Sequence, residues 1–382
     1  MKVLVVALGY PTDKYPGNGI FEFDQARALT NAGHKVVFVA VDLRSIRRWR
    51  KWGTEHFVKD GMDVYAINIP LGRVPHSLLA SCGKWGIKKL YRKIVKEHGE
   101  PDIIHAHFLG EAEIALALKP LTSAKFVMTE HSSSVNMNVS DISANLLNIA
   151  AMVYQSYDDV ITVSPAMQKR IYDIAKVNTK CIPNIVDLTA FGNISSVKHD
   201  CFNFTFVGNM ISLKNPQLCI TAFAKSFQNQ TAVTLTLIGG GSELNKCKKL
   251  VKDLSVADKV KILGVMPRNK IAGYLASSDC FVLPSQAETF GVVYIEAMSC
   301  GLPVIATRCG GPESFVNESN GVLIPVNDEQ ALVDAFRYMF ENAKKYDSAK
   351  ISAETIAKFS PQAIADQLTK LYSEVLKQDE QL

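Results

Sequence analysis

The 382-residue sequence predicts an α/β fold of two Rossmann-like, doubly wound domains facing a cleft. Three observations lead there. The chain is longer than one core usually supports, which makes two domains of about 150–200 residues the expectation. Short β-branched runs alternate with amphipathic segments from end to end, the pattern of parallel strands joined by crossover helices. One polar, turn-rich stretch, "PNIVDLTAFGNISSVKHDC" (183–201), interrupts that rhythm as a linker does.

The elements follow in order. "KVLVVAL" (2–8) reads as a buried strand, and "FEFDQARALTNAG" (21–33) as a helix stopped by Gly33. "KVVFVAV" (35–41), "DIIHAHF" (102–108), "KFVMTEH" (125–131) and "DVITVS" (159–164) continue the first series. After the linker come "NFTFVG" (203–208), "VTLTLIG" (233–239), "KVKILG" (259–264), "DCFVLP" (279–284) and "PVIATR" (303–308). "PQAIADQLTKLYSEVLKQ" (361–378) is a long amphipathic helix. The expected division is 1–190, 201–360 and a final segment 361–382 whose helix crosses back to the first domain. Open α/β sheets bind ligands at the C-terminal ends of their strands, so functional residues are expected there.

Composition narrows the class. At 47% hydrophobic and 21% charged residues, the chain reads as a soluble globular protein. Its eight cysteines show no CxxC pair and read as small buried hydrophobes in a reducing compartment. The apolar run at the N-terminus is short for a signal peptide, and no segment approaches ~20 consecutive apolar residues. The expected location is the cytoplasm, peripheral to the inner face of the cytoplasmic membrane. The net charge of +5 arises wholly before residue 190, where 23 Lys+Arg face 18 Asp+Glu. It concentrates in "RSIRRWRKW" (44–52) and "KWGIKKLYRKIVK" (84–96). Basic runs interleaved with Trp, Leu, Ile and Tyr suit an anionic membrane surface, met here through Arg44–Lys51 and Lys84–Lys96. The alternative is a solvated helix face whose Lys and Arg stems cover apolar surface. Nucleic acid is not an expected partner, because the net charge is small and no nucleic-acid motif is present.

The stretch richest in chemistry is "PSQAETFGVVYIEAMSCGLPVIATRCGGPE" (284–313). Glu288 falls on a loop ahead of a helix that opens near Gly291, and Glu296 lies more than one turn inside that helix. The first-turn amides of Gly291, Val292 and Val293 lack helical acceptors, which makes a phosphate cradle. Carboxylates on either side accept from hydroxyls, so the arrangement describes a sugar on each flank of a diphosphate. "FVGNMISLKN" (206–215) puts Gly208 after a strand and supplies Lys214 as a cation for the phosphates. The glycines of "LIGGGSE" (237–243) and "YPGNGIF" (15–21) permit close backbone approach. Neither is a dinucleotide fingerprint. His131 ends a strand where site residues sit. His105 and His107 point the same way and line the floor of the cleft, or, with no third ligand evident, a weak zinc site. No DxD motif offers a clamp for a metal-bound diphosphate. Walker A loops and nucleophile elbows are absent.

These residues together resemble the retaining glycosyltransferases of family 4, which have the GT-B fold. The likeness runs over nearly the whole chain. Its strongest element is the E-x7-E motif, Glu288 to Glu296 in "ETFGVVYIEAMSCGLPVIAT", followed by "GGPE" (310–313). "GIFEFDQARALTNAGHKV" (19–36), "PDIIHAHF" (101–108), "TEHS" (129–132), "DDVITVSPAMQKRI" (158–171) and "IPNIVD" (182–187) support it. The resemblance implies that Glu288 contacts the donor hexose and Glu296 the nucleotide ribose. The backbone of Phe290, Gly291, Val292 and Val293 would hold the diphosphate, and Lys214 would neutralise it as it leaves. The base would lie near Val265 and Met266. Gly17 and Gly19 would approach the donor, and His131 would reach the transferred sugar. Where the family reads Gly-Arg-Leu, this chain has Gly208-Asn209-Met210, so one phosphate contact is lost or supplied from elsewhere.

The implied reaction moves a hexose from a nucleotide sugar, with UDP or GDP as carrier, to a glycan or lipid-linked acceptor. It would need no cofactor and no divalent metal. Capsule, lipopolysaccharide or other cell-surface polysaccharide assembly is the expected setting. A GT-B-fold sugar-nucleotide epimerase and a catalytically weak nucleotide-sugar binding protein are the alternatives.

Overall fold

The computed structural model describes residues 1–377 except 16, 49, 133, 134, 137, 138, 193–200 and 229, and omits the side chains of 47, 48 and 139. Pro16 of the first glycine loop, part of the 44–51 basic run, the linker at 193–200 and the end of the final segment at 378–382 lie outside the described residues. The chain forms two units, Met1–Ile185 with Pro361–Leu382, and Val186–Ser360.

The first unit begins with β1 (Lys2–Ala7), α1 (Ile20–Asn31), β2 (Lys35–Asp42), β3 (Gly53–Lys59), β4 (Met62–Asn68) and α2 (His76–His98). It continues with β5 (Ile103–His107), α3 (Leu109–Ala115), β6 (Lys125–Glu130), α4 (Ala144–Gln155), β7 (Asp159–Thr162), α5 (Pro165–Ala175) and β8 (Lys180–Cys181). The sheet runs β3-β4-β2-β1-β5-β6-β7-β8, with Val5 of the central β1 opposite Phe38 and His105. The near-continuous apolar character of β1 follows from helices covering both faces. β3 and β4 form an antiparallel edge hairpin that the sequence reading did not anticipate. Its turn is Asp60-Gly61, with φ of 50° and 77°, the pair of positive angles a two-residue hairpin turn needs.

The second unit contains α6 (Leu188–Phe191), β9 (Phe202–Val207), α7 (Pro216–Ser226), β10 (Val233–Ile238), α8 (Leu244–Asp253), β11 (Val260–Gly264) and α9 (Arg268–Ala276). Then come β12 (Cys280–Leu283), α10 (Val292–Ser299), β13 (Val304–Thr307), β14 (Gly321–Ile324), α11 (Glu329–Asn342) and α12 (Ser348–Phe359). Its parallel sheet runs β11-β10-β9-β12-β13-β14. Strand order reverses between β9 and β12, so the loops leaving those two strands diverge and open a crevice. The first unit closes at Ile185, ahead of residue 190, because α6 packs against α9 and α10 of the second.

The chain then enters α13 (Pro361–Lys377). Ile364, Leu368 and Tyr372 join the core of the first unit, and His34 Nε2 meets Thr369 Oγ1 at 2.8 Å. The cysteines differ from expectation. Cys219, Cys247 and Cys280 are buried, but Cys82, Cys181, Cys201, Cys300 and Cys309 are partly exposed. They sit on helix flanks and strand ends rather than in core positions. Among the described residues no helix is long and apolar enough to cross a membrane.

Candidate functional site

The two diverging loops of the second unit carry the motif residues. The loop after β9 holds Gly208, Asn209 and Lys214; the loop after β12 holds Glu288 and ends at Gly291. Gly291, at φ 94°, caps α10 in a left-handed conformation that favours glycine. Glu288 and Glu296 are both buried. A buried carboxylate needs a partner, and each has a cation. Lys214 Nζ lies 2.5 Å from Glu288 Oε1, and Ser285 Oγ donates to the same oxygen at 2.7 Å. Arg268 Nη2 donates to Glu296 Oε1 at 2.8 Å, while its Nη1 lies 3.6 Å from Asp187 Oδ2. The α10 N-terminus is thus bracketed by two ion pairs. Its first-turn amides have no helical acceptors, an arrangement of donors that can take an anion.

The other expected donor residues take different roles. Phe290 is a core side chain packed on Phe315 and Phe359, which leaves only its backbone to meet a ligand. Val292 is buried, and Val265 is 82% exposed just beyond β11, with Met266 next to it partly exposed. Asn209 is exposed. The glycine run is spent on the protein's own backbone. A Cβ at Gly239 (φ 144°) would stand 1.9 Å from Gly208 O, and one at Gly241 (φ 154°) 2.4 Å from Met210 O. Arg268 escaped the sequence reading. It lies 28 residues from Glu296, and no local motif marks it.

In the first unit, His131 follows β6 at the C-terminal end of the sheet. Its Nε2 is 3.1 Å from His107 Nδ1. His105 is held by Tyr372 OH at 2.6 Å and Thr129 Oγ1 at 2.7 Å, and stacks on His107 with ring centroids 4.4 Å apart. His105 and His107 are fully buried, so they lie beneath the site rather than line its floor. Among the described residues no group of three or more His, Cys, Asp or Glu is placed to hold a metal. Gly19 caps α1 at φ 69°, where a Cβ would meet Gly9 O at 2.2 Å, whereas Gly17 has open space around it. Phe108 takes a strained φ of 65°, with its ring 5.0 Å from that of His131.

The same sheet end gathers three buried carboxyls that no sequence signal marked. Burial raises Glu22 to about 7. Burial, then the nearby Glu22 and Glu130, raise Glu111 to about 8. Burial also raises Glu130, although Ser132 N and Tyr154 OH donate to it. A cavity of about 300 Å³ opens here, lined by Leu8, Phe108, Glu111, Ser132, Leu146 and Ile149 among others. The imidazoles shift the other way: burial lowers His105 and His131 to about 3 and His107 well below its ordinary 6.5.

A pH signature follows. The imidazoles stay neutral when folded but gain protons when unfolded, so their contribution is lost as pH falls from 6.5 towards 3. The carboxyls stay protonated when folded but ionise when unfolded, so their contribution is lost as pH rises from 4.5 towards 8. The two opposed sets place the cluster's greatest stability between 4.5 and 6.5. Melting temperatures measured from pH 5 to 8 should fall above 6.5, and Glu111→Gln should flatten that fall.

The two basic runs part company. Arg50 is turned inward: its Nη2 donates to Tyr10 O at 2.9 Å, its guanidinium lies 4.0 Å over the Tyr10 ring, and its Nε is 3.8 Å from Asp42. It is a structural cation and not part of a surface. The α2 run has a buried stripe of Gly83, Ile87, Leu90 and Ile94. Opposite it, Trp85, Lys89, Arg92 and Lys96 are exposed at helical spacing and form one face.

Residues 21–190 match the family described as Glycosyltransferase Family 4, and residues 193–356 the one described as Glycosyl transferases group 1. The N-acetyl-alpha-D-glucosaminyl L-malate synthase of Bacillus anthracis is 26% identical, over 99% of both chains. A Bacillus subtilis protein named as a teichuronic acid biosynthesis glycosyltransferase, TuaC, is 25% identical, again over 99% of both. The crystal structure of Anabaena Alr3699/HepE in complex with UDP superposes with a TM-score of 0.72 at 21% identity, covering 98% of this chain and 100% of that one.

Proposed function

Since the chain belongs to the family 4 glycosyltransferases, with their GT-B fold, we propose that it is a retaining, metal-independent hexosyltransferase using a nucleoside diphosphate sugar. Its proposed acceptor is a glycan or lipid-linked sugar in cell-surface polysaccharide assembly. One observation carries the reading: two buried carboxylates bracket the α10 N-terminus, each already holding a cation. The diphosphate takes the amides of Gly291, Val292 and Val293 and draws Lys214 from Glu288. Glu288 then accepts from hexose hydroxyls, and Glu296 accepts from the ribose, with the base near Val265 and Met266. Gly208 and Asn209 offer backbone to the phosphates. His131, kept neutral by burial, and the backbone at Gly17 and Gly19 serve the transferred sugar.

The acceptor hydroxyl attacks the anomeric carbon from the face that the diphosphate leaves. The carbon–oxygen bond to phosphate breaks, and the leaving phosphate oxygen takes the acceptor proton. Lys214 and the helix amides stabilise the charge that develops there, which is where such sites gain most of their rate. The apolar walls of the first-unit cavity suit an acceptor with a hydrophobic flank.

Calorimetric titration with UDP, GDP and ADP, each with and without EDTA, tests the reading. One of them should bind at about micromolar strength, unaffected by EDTA and weakened about tenfold or more in Glu296→Ala. Absence of binding by all three would overturn it. Product formation from the donor alone would favour the epimerase.

The exposed α2 face is the proposed contact with an anionic membrane. Each basic residue near such a surface is worth about 1 kcal/mol. Changing Lys89, Arg92 and Lys96 to Gln should therefore weaken binding to phosphatidylglycerol vesicles by about a hundredfold. Unchanged sedimentation with vesicles would remove the membrane from the account.

A further inference from the structure

We infer that Arg268 is a positioning residue for the nucleoside end of the donor site; this rests on the proposed role of Glu296. Arg268 opens α9, and a cation at a helix N-terminus is opposed by the helix dipole. Local helix energetics therefore do not favour an arginine there. Its surroundings do. The guanidinium donates to Glu296 Oε1 at 2.8 Å, stands 3.6 Å from Asp187 Oδ2, and lies 5.9 Å from the Phe191 ring centroid. Both residues are buried, and a planar five-donor fork is the side chain suited to bridge their carboxylates.

The bridge has two consequences for a ligand. Side chains on a helix lean towards its N-terminus, so the Glu296 carboxylate lies alongside the first turn of α10, next to the diphosphate cradle. A carboxylate accepts about four hydrogen bonds, so pairing with Arg268 is compatible with accepting ribose hydroxyls. Arg268 fixes the carboxylate plane in which those hydroxyls are met. Two carboxylates against one guanidinium also leave one excess negative charge. That charge welcomes hydroxyl donors and turns the diphosphate towards Lys214. The donor is thereby oriented along α10, nucleoside at the Arg268 end and diphosphate at the Lys214 end. Without Arg268, the two buried carboxylates lose the cation they share.

The test is a thermodynamic cycle between the residue and the ribose. The probes are the tightest binder among UDP, GDP and ADP and its 2′-deoxy and 3′-deoxy analogues, titrated into the full-length protein. In the unaltered protein, losing the contacted hydroxyl should weaken binding about tenfold. In Arg268→Ala that ratio should collapse to about two or less, and Arg268→Lys should restore part of it. A merely structural role would weaken all analogues alike and leave the ratio at ten. That result, with the ratio collapsing only in Glu296→Ala, overturns the inference and spares the donor-site reading. A ratio that survives in Glu296→Ala, or is absent from the unaltered protein, overturns the donor-site reading and the inference with it. Should Arg268→Ala fail to fold, the comparison rests on Arg268→Lys, whose ratio should fall between the two extremes.

Discussion

Replacing Lys214 by alanine is expected to lower kcat for sugar transfer by about 10²–10³-fold, the loss typical of one group that meets the charge developing in a transition state. The geometry makes the effect larger than for a surface lysine. Lys214 is mostly buried and closes on Glu288 at 2.5 Å. Its removal takes the cation from the leaving diphosphate and also leaves the buried Glu288 carboxylate without that counter-charge. The two losses separate by experiment. Glu288→Gln in the Lys214→Ala background removes that negative charge and should recover binding of the nucleoside diphosphate, which lacks the hexose that Glu288 meets, while leaving kcat low. Steady-state kinetics on both variants check this. A kcat within fivefold of the unaltered protein in Lys214→Ala would show that the lysine only balances Glu288.

Gly239→Ala is expected to have the largest effect on stability. The position combines φ 144° with a Cβ placed 1.9 Å from the carbonyl oxygen of Gly208, an atom of the backbone that cannot rotate away. Relief requires the loops after β9 and β10 to move apart. A cost of about 3 kcal/mol or more is expected, combining backbone strain with overpacking. For a unit of this size that is a fall of about 6–12 °C in Tm. Gly72→Ala, at a site with open space, is the control and should melt with the unaltered protein. Calorimetric scans of the two variants decide the matter. Because the loop that would shift carries Gly208 and Asn209, donor affinity should fall together with Tm.

How far the sequence could be read depended on how far apart in the chain each interaction lies. Central strands such as β1 and β12 are covered on both faces, so their apolar runs are continuous and conspicuous. Edge strand β3 alternates half-buried and exposed residues, and the Asp60-Gly61 turn that joins it to the buried β4 is the local signal that could have marked the hairpin. Within the site, Glu288 and Glu296 belong to one loop and the helix it leads into, and their spacing is visible in the chain. The partner of Glu296 is brought in by the crossover from β11 through α9 to β12, which no local pattern encodes. The buried carboxyls at Glu22, Glu111 and Glu130 come from three separate elements and look in the sequence like ordinary surface acids. Charge misled at Arg50, where a residue in a basic run turns into the protein to meet Asp42 and Tyr10.

The packing of α13 into the first unit sets an order of events during synthesis. Ile364, Leu368, Leu371, Tyr372 and Val375 complete a core whose other residues lie before position 186. A nascent chain that has just emitted its first sheet therefore lacks the cover of α1 and the partner of His105 on β5 until the ribosome has made the whole second unit. At translation rates of about 5–20 residues per second, that interval is about 10–35 s. The second unit is contiguous in sequence, so no later segment is needed to complete it. Chaperone demand should thus fall on the half of the protein that is made first and finished last.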